Sequence, residues 1–420
     1  GASWRRRYLG AGVNRDPRKN LEPRFPISLL TTLDPLAERM MPLTVERLKA
    51  HASRYTGLSD FGETEGFVRR LEESVAAVRP FDWNIFGRFG IRMSLRWQLI
   101  NRLHLVEVLK QRPELRDAPI ERPILITGLF RTGTTFLHNV MAADPGYRVG
   151  RTWEFSYPVG RKRDLMGDRG WRRRRTSVPM FFSHFVQPDL EKVHRVTADQ
   201  HEEDFFLLEN EIVMMKFLMG LGIFDYAERM LDWPMQEVYE SHRTQLQILS
   251  AQGSGLPWLL KCPWHLWNLD SFLAAYPDAL VIHTHRDPTR AIASQCSLNA
   301  GIASKMRPNG VDLREVGRFW LEYSRIGIER GLAARSRADA DRFFDVRLDD
   351  LMADPMAMLS AIYQRFDLPW NDALASRFAA RIDENPTHQE GHHVYDIADF
   401  GLSDARVRET LAEYCKRFDV

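Results

Sequence analysis

A single stretch, Pro123 to His138, narrows the folds open to this chain more than any other. The apolar run Pro123–Thr127 leads into a loop bracketed by Gly128 and Gly133, and Thr134 and Thr135 then open an apolar helix pattern. Strand, glycine-rich turn and helix form the layout in which backbone N–H groups and a helix N-terminus face a bound phosphate. The spacing fits G-x-x-x-x-G-K-[ST] at every position but one, because Thr134 stands where the lysine belongs. That lysine reaches the β- and γ-phosphates of ATP, so its absence counts against a kinase or ATPase. Arg131, inside the loop, supplies a different cation. The combination points to a nucleotide that is not a triphosphate.

From Pro123 onward, short apolar runs alternate with helix-length amphipathic segments. The spacing predicts strands at Pro123–Thr127, Trp258–Lys261, Ala279–Thr284 and Phe343–Leu348. Such runs between long helical patterns predict an α/β fold, a P-loop-like parallel sheet flanked by helices. Upstream, helical patterns at Pro35–His51, Glu63–Val78 and Met93–Gln111, punctuated at Pro80, Gly90 and Pro113, predict an N-terminal helical extension. The division expected is 1–118 for that region, a candidate substrate lid, and 119–420 for the catalytic unit. With 44% apolar residues in 420, the chain can bury a sizeable core.

A formal charge of +2 gives no argument for nucleic acid as the main partner. Cys262, Cys296 and Cys415 are odd in number and widely spaced, which suggests neither a disulfide framework nor a zinc site and fits a cytoplasmic protein. Arg5, Arg6 and Arg7 are not followed by an apolar region of the kind a secretory signal carries. The most apolar long stretch, Ile212–Phe224, is short and broken by Lys216, so no transmembrane helix is expected. Peripheral membrane contact stays open. The basic stretch Arg161–Arg175 reads as a solvated loop, with a site for an anionic substrate, headgroup or partner as the alternative.

A second constellation supports the first. The predicted strand Leu280–Thr284 ends in His285-Arg286-Asp287-Pro288, and Ser294 lies in the helical pattern that follows. Ligands of open parallel sheets sit beyond the carboxyl ends of strands, so Arg286 and Ser294 can converge on one anion. With these residues the chain resembles the sulfotransferases that use 3′-phosphoadenosine 5′-phosphosulfate (PAPS). Within them it is similar to the bacterial branch related to polyketide-synthase sulfotransferase domains and mycobacterial sulfotransferases. The resemblance rests on Gly128-Leu129-Phe130-Arg131-Thr132-Gly133-Thr134-Thr135 for the 5′-phosphosulfate and on Arg286 with Ser294 for the 3′-phosphate. It extends to Trp153-Glu154, to Leu260-Lys261-Cys262-Pro263-Trp264-His265-Leu266, and to His393-Val394-Tyr395 with Phe400-Gly401-Leu402. Upstream, Gly57 to Gly62 and Asn101-Arg102-Leu103 continue it. Animal cytosolic members carry Lys where this chain has Arg131, and His two residues after a Lys where His265 here stands four after Lys261.

The resemblance implies sulfuryl transfer from PAPS to a hydroxyl, giving a sulfate ester and 3′-phosphoadenosine 5′-phosphate (PAP). It implies a donor site of Gly128, Arg131, Thr132, Gly133, Thr134, Thr135, Arg286, Ser294 and Tyr395, and subunits that often pair. Catalysis of this kind is mostly positioning and charge stabilisation. Arg131 and Lys261 are expected to stabilise the sulfuryl group and the bridging oxygen, and no metal is expected. His283/His285 and His392/His393 have spacings that would suit a metal, but no strong ligand cluster is visible.

An alcohol or phenol acceptor needs a general base. Thr197-Ala198-Asp199-Gln200 reads as a capping box, which predicts His201 in the first turn of an apolar helix reaching about Met219. The positive helix end would keep that imidazole neutral. His201 is the expected base, with Glu202 and His265 as alternatives; Glu203 and Asp204 follow directly, and an acidic turn that only complements the dipole is the plainer reading. Val213–Phe224, like Phe181, Phe182 and Phe185, reads as core or as the wall of a pocket for a hydrophobic acceptor. The rival functions are a P-loop kinase or NTPase, for which Asp345 is the one Mg²⁺ candidate, and a non-catalytic nucleotide-binding protein.

Overall fold

The structure is a computed structural model and describes residues 43–161, 164–186, 197–253, 255–307, 309–384 and 396–420, with the backbone alone for 178–186. Its centre is a five-stranded, all-parallel sheet in the order β2-β3-β1-β4-β5. The strands are β1 (Ile124–Gly128), β2 (Arg148–Val149), β3 (Trp258–Lys261), β4 (Leu280–His285) and β5 (Phe343–Arg347). Four match the predicted apolar runs to within a residue at either end. β2 was not predicted: two residues give no periodicity to read, and β2 exists because its partner β3 does.

Alternation along β1 sends Ile124 and Ile126 into one core and Leu125 into another. The first core packs Ile282, Val346, Leu359 and Phe378 under the helices Thr134–Met141, Pro355–Arg365 and Asp372–Glu384. The second is larger. It combines Trp258, Leu260 and Val281 with Trp264, Trp320 and Tyr323, and it continues into Phe67, Leu71, Leu95 and Leu99 of the upstream helices. Sequential β-α-β steps that bury both faces of a short sheet give the layered fold expected from the sequence.

The upstream helices span Val45–Thr56, Glu65–Ala77 and Ile85–Gln111, each opened by a side-chain cap from Thr44, Thr64 or Asn84. The third runs through Gly90, where a break was predicted; Gly90 is exposed with open space beside it, so it costs only propensity. Arg70 is fully buried and bonds Glu211 and Glu237, while Arg102 pairs with the other oxygen of Glu211. These ion pairs fix the upstream helices to the segment that follows the acidic run Glu202–Asp204.

The expected solvated loop at Arg161–Arg175 is corrected: a helix spans Arg169–Val186. Arg172 is fully buried, donating to the carbonyls of Tyr157 and Pro158, and Arg175 lies over the Trp97 ring, while Arg173 and Arg174 face solvent. A guanidinium carries enough donors to be buried when carbonyls and aromatic faces receive it. No helix among the described residues is long and apolar enough to cross a membrane. Val213, Met214, Phe217 and Ile223 are fully buried in the larger core, while Met219 and Leu221 are only partly buried against it.

Candidate active site

The register of the sheet brings the sequence motifs to one edge. Gly128 pairs with Thr284 across β1 and β4, and Ile126 pairs with Lys261 across β1 and β3. The phosphate-type loop, Lys261 and Arg286 therefore leave neighbouring strands at the same carboxyl end. A Cβ on Gly128, at φ 154, would meet the Thr284 carbonyl at 2.4 Å, so the close approach of loop and strand requires glycine. Gly133, at φ 91, caps the helix Thr134–Met141 with no side-chain partner for its first N–H groups. Those donors and the helix dipole suit an anion.

The loop side chains divide. Thr132 is buried and spends its hydroxyl on the Leu129 carbonyl and on Thr284, both at 2.6 Å, so the loop receives its backbone rather than its hydroxyl. Thr134 is also buried, whereas Thr135 is exposed. Arg131 adopts a left-handed φ of 68. Its Nε donates to Ser294 Oγ at 3.1 Å, and its carbonyl accepts from Arg286 at 2.9 Å. Arg131, Arg286 and Ser294 thus form one group. The Arg131 guanidinium, expected at the sulfuryl position, is held through Nε by Ser294. Tyr395, with His392 and His393, lies outside the described residues.

On the other side of the loop stands Lys261, whose Nζ lies 3.4 Å from Thr135 Oγ1 and 2.7 Å from Glu203 Oε1, with Glu202 at 3.9 Å. Lys261 is 1% exposed and Glu203 17%. Burial alone would lower the Lys261 pKa, but the charges of Glu203 and Glu202 outweigh it and hold it above its ordinary value. The ammonium therefore persists at neutral pH. Glu203 was missed as a leading candidate, since its place depends on a segment whose course the sequence does not reveal.

That segment is extended, not helical, so the expected position of His201 in a helical first turn is corrected. The Gln200 side chain does accept from the Thr197 N–H at 2.9 Å, half of the capping box, yet no helix follows. Instead the segment pairs with residues from far upstream: Thr152 N–H bonds the Gln200 carbonyl, Glu202 N–H bonds the Gly150 carbonyl, and His201 bridges Arg151. Trp153 N–H holds Ala198, and Glu154 caps its own short helix and pairs with Arg148 at 3.0 Å. The Trp153-Glu154 pair is thus part of the clamp on this segment. Its helices begin only at Phe205–Glu209 and Met215–Met219.

His201 is half-buried and opens on a cleft of about 630 Å³ that Arg148, Arg151, Arg377 and Arg381 also line. Burial, then Arg151 and Arg381, lower its pKa, so its imidazole is neutral as expected. None of Thr135, Lys261, Arg286 or Ser294 lines this cleft. His265 is fully buried with both ring nitrogens engaged, Nδ1 to Tyr239 and Nε2 to Asp204. His265 therefore has no free ring nitrogen for the Lys261 site. Asp345, the Mg²⁺ candidate of the kinase reading, is committed to His285 at 2.8 Å and to Arg335 at 2.6 Å.

Comparison with known proteins agrees with this geometry. A profile of the sulfotransferase family matches residues 123–372. The omega-hydroxy-beta-dihydromenaquinone-9 sulfotransferase Stf3 of Mycobacterium bovis is 23% identical over 315 residues, 70% of this chain and 74% of the relative. The crystal structure of sulfotransferase STF1 from Mycobacterium tuberculosis superposes with a TM-score of 0.73 at 30% identity, covering 89% of this chain and 99% of that one. Sulfotransferase STF9 from Mycobacterium avium gives 0.75 at 27% identity, with 90% and 97% covered.

Proposed function

The chain belongs to the sulfotransferase family, and on that premise we propose that it moves a sulfuryl group from PAPS to a hydroxyl of a hydrophobic acceptor, leaving a sulfate ester and PAP. The observation that carries this reading is the division of the site into two groups on either side of one loop. Arg131, Arg286 and Ser294 form a cationic and hydroxylic cradle suited to a 3′-phosphate. Thr135, Lys261 and Glu203 form a row at 3.4 and 2.7 Å suited to the transferring end.

In this reading the loop N–H groups hold the 5′-phosphate, and Lys261 offsets the charge that grows on the bridging oxygen as its bond to sulfur breaks. The acceptor oxygen forms the new bond to sulfur, its proton passes to Glu203, and PAP leaves with the electron pair. A bound sulfuryl group competes for the three N–H donors of Lys261, which frees Glu203 to accept that proton. The base is thereby assigned to Glu203, in place of His201, His265 or Glu202. Lys261 at the transferring end, Arg131 and Arg286 at the cradle, and the helix end supply the charge compensation, so the reading includes no metal.

A hydrophobic acceptor is supported by Phe205 and Phe206, stacked at 4.2 Å and only half-buried immediately after the acidic run. The naming of Stf3 for an omega-hydroxylated menaquinone is in keeping with it. Of the upstream region 1–118, the described helices from Val45 onward would cover the acceptor side of the catalytic unit 119–420; Gln98 and Asn101 bond Glu209 and Asn210 there. Three free cysteines, two of them buried, suit a cytoplasmic setting.

Calorimetric titration with PAP, against AMP and ATP, tests the donor. We expect PAP to bind tightly, AMP weakly, and Arg286→Ala to lose on the order of 2 kcal/mol of PAP affinity, the scale of a charge-assisted contact. Preference for ATP would sink the assignment. PAP release from PAPS, with farnesol as a prenyl alcohol probe, tests the chemistry: Glu203→Gln should cost about 10²- to 10⁴-fold in kcat, with PAP affinity retained.

A further inference from the structure

Beneath Glu203 lies a buried polar network that the proposed chemistry does not use. Asp204 Oδ2 accepts from His265 Nε2 at 2.8 Å and from His242 Nε2 at 3.0 Å. His265 Nδ1 meets Tyr239 Oη at 2.7 Å, and His242 Nδ1 meets Tyr276 Oη at 2.7 Å. Asp204 and both histidines are fully buried, and the tyrosines are within 1% of it. Five polar side chains in a core are costly unless their bonds are made, and one wrong tautomer would leave a donor or acceptor stranded.

The proton order follows from chemistry. Burial pushes both tyrosine hydroxyls well up, so each keeps its proton and donates it to the Nδ1 beside it. Both Nε2 atoms face a carboxylate oxygen, which can only accept, so each Nε2 carries a proton that points to Asp204. Burial would raise the Asp204 pKa, but His265 and His242 outweigh it and hold the carboxylate ionised. The spacing of these three groups would also suit a cation. Both Nε2 atoms, however, bond one carboxylate oxygen, which is the geometry of shared protons.

Two details make this more than core packing. Asp204 stands at the N-cap of the helix Phe205–Glu209, where an Asp ordinarily accepts from the helix N–H groups and contributes about 1 kcal/mol. It makes no such cap; the carboxylate is turned to the histidines, and Oδ1 is left without a partner. Its backbone N–H meanwhile reaches the Lys261 carbonyl at 3.4 Å. Asp204 is therefore held at both ends, and its neighbour Glu203 is held by it.

We propose that Asp204 is a positioning residue: the network Tyr239–His265–Asp204–His242–Tyr276 fixes the backbone that aims Glu203 at Lys261 and the transferring group. This rests on the reading of Glu203 as the base. Side chains engaged in this way set geometry for a reacting group they do not touch, and a misplacement of ~1 Å costs on the order of 10²-fold in rate.

The test uses the full chain with Asp204→Asn and with the double variant Tyr239→Phe/Tyr276→Phe, which removes only two hydroxyls. PAP release from PAPS is followed with farnesol and with water alone as acceptor, beside PAP affinity by calorimetry and thermal unfolding. The expected result is a kcat loss on the order of 10²-fold for Asp204→Asn and about tenfold for the double variant, with KM for PAPS and PAP affinity unchanged. Should Asp204→Asn not fold, the double variant decides. A folded variant with full kcat, beside an inactive Glu203→Gln, overturns the positioning role. A kcat that falls only in proportion to PAP affinity and melting temperature also overturns it, since a purely structural role would do that. Normal turnover by Glu203→Gln removes the base assignment instead, and absence of PAP binding by the unmodified chain removes the donor.

Discussion

Arg131 occupies a left-handed backbone conformation, φ 68, that disfavours any side chain with a Cβ by about 1–2 kcal/mol. Glycine would sit there without that strain. The loop keeps arginine, and the guanidinium is used on Ser294. The expected outcome for Arg131→Gly is therefore a split: unfolding midpoint retained or raised, with about 1 kcal/mol of strain removed, and PAP affinity reduced. Calorimetry beside urea unfolding reads both. A variant that loses stability as well would mean that the Ser294 bond outweighs the strain.

At the scale of elements, the docking of the upstream helices depends on one buried junction. Arg70, with no exposed side-chain surface, meets Glu211, which is 2% exposed and also held by Arg102. Without Arg70 the buried Oε2 and carbonyl of Glu211 lose their donor while Arg102 keeps Oε1, so Arg70→Ala should cost about 3 kcal/mol in urea unfolding, whereas breaking the exposed Lys110–Asp60 pair should change little. A cost below 1 kcal/mol would show the junction to be solvated. Such junctions are also where sequence reading falls short. Arg70 and Arg172 look like surface charges until the carbonyls, carboxylates and rings around them are known. β1, β3, β4 and β5 were legible because apolar runs bounded by turns carry their own signal. Lys261 and Arg286 were legible because strand ends in a parallel sheet share an edge. Glu203 was not: the local letters Thr197 and Gln200 do form their bond, but pairing with residues 150–152 overrides the helix they announce. Only the tertiary partner decides that register.

Across the whole molecule, histidines buried as neutral rings make stability depend on acid. Burial lowers His104 from an ordinary value of 6.5 to about 4, and it lowers His138 and His283 well below theirs. The unfolded chain takes up a proton as pH falls through about 6.5, whereas folded His104 takes it only near 4. Stability therefore falls as pH drops across that interval, by up to about 3 kcal/mol for His104 alone. Asp345, lowered by His285 and Arg335 against its burial, adds a loss in the same direction at lower pH. Urea midpoints measured from pH 7 to 4.5 should decline steadily; a flat profile would mean these rings are not buried in neutral form. The order in which the chain is built has its own consequence. The helices Val45–Thr56 to Ile85–Gln111 present Phe67, Leu71, Leu95 and Leu99 to a core completed by Val213, Tyr226 and Val238. On a ribosome adding about 5–20 residues per second, on the order of ten seconds separate the two halves of that core. For that interval the nascent helices have no partner for their apolar faces, which makes this end of the protein a natural client for chaperones that hold unfinished chains.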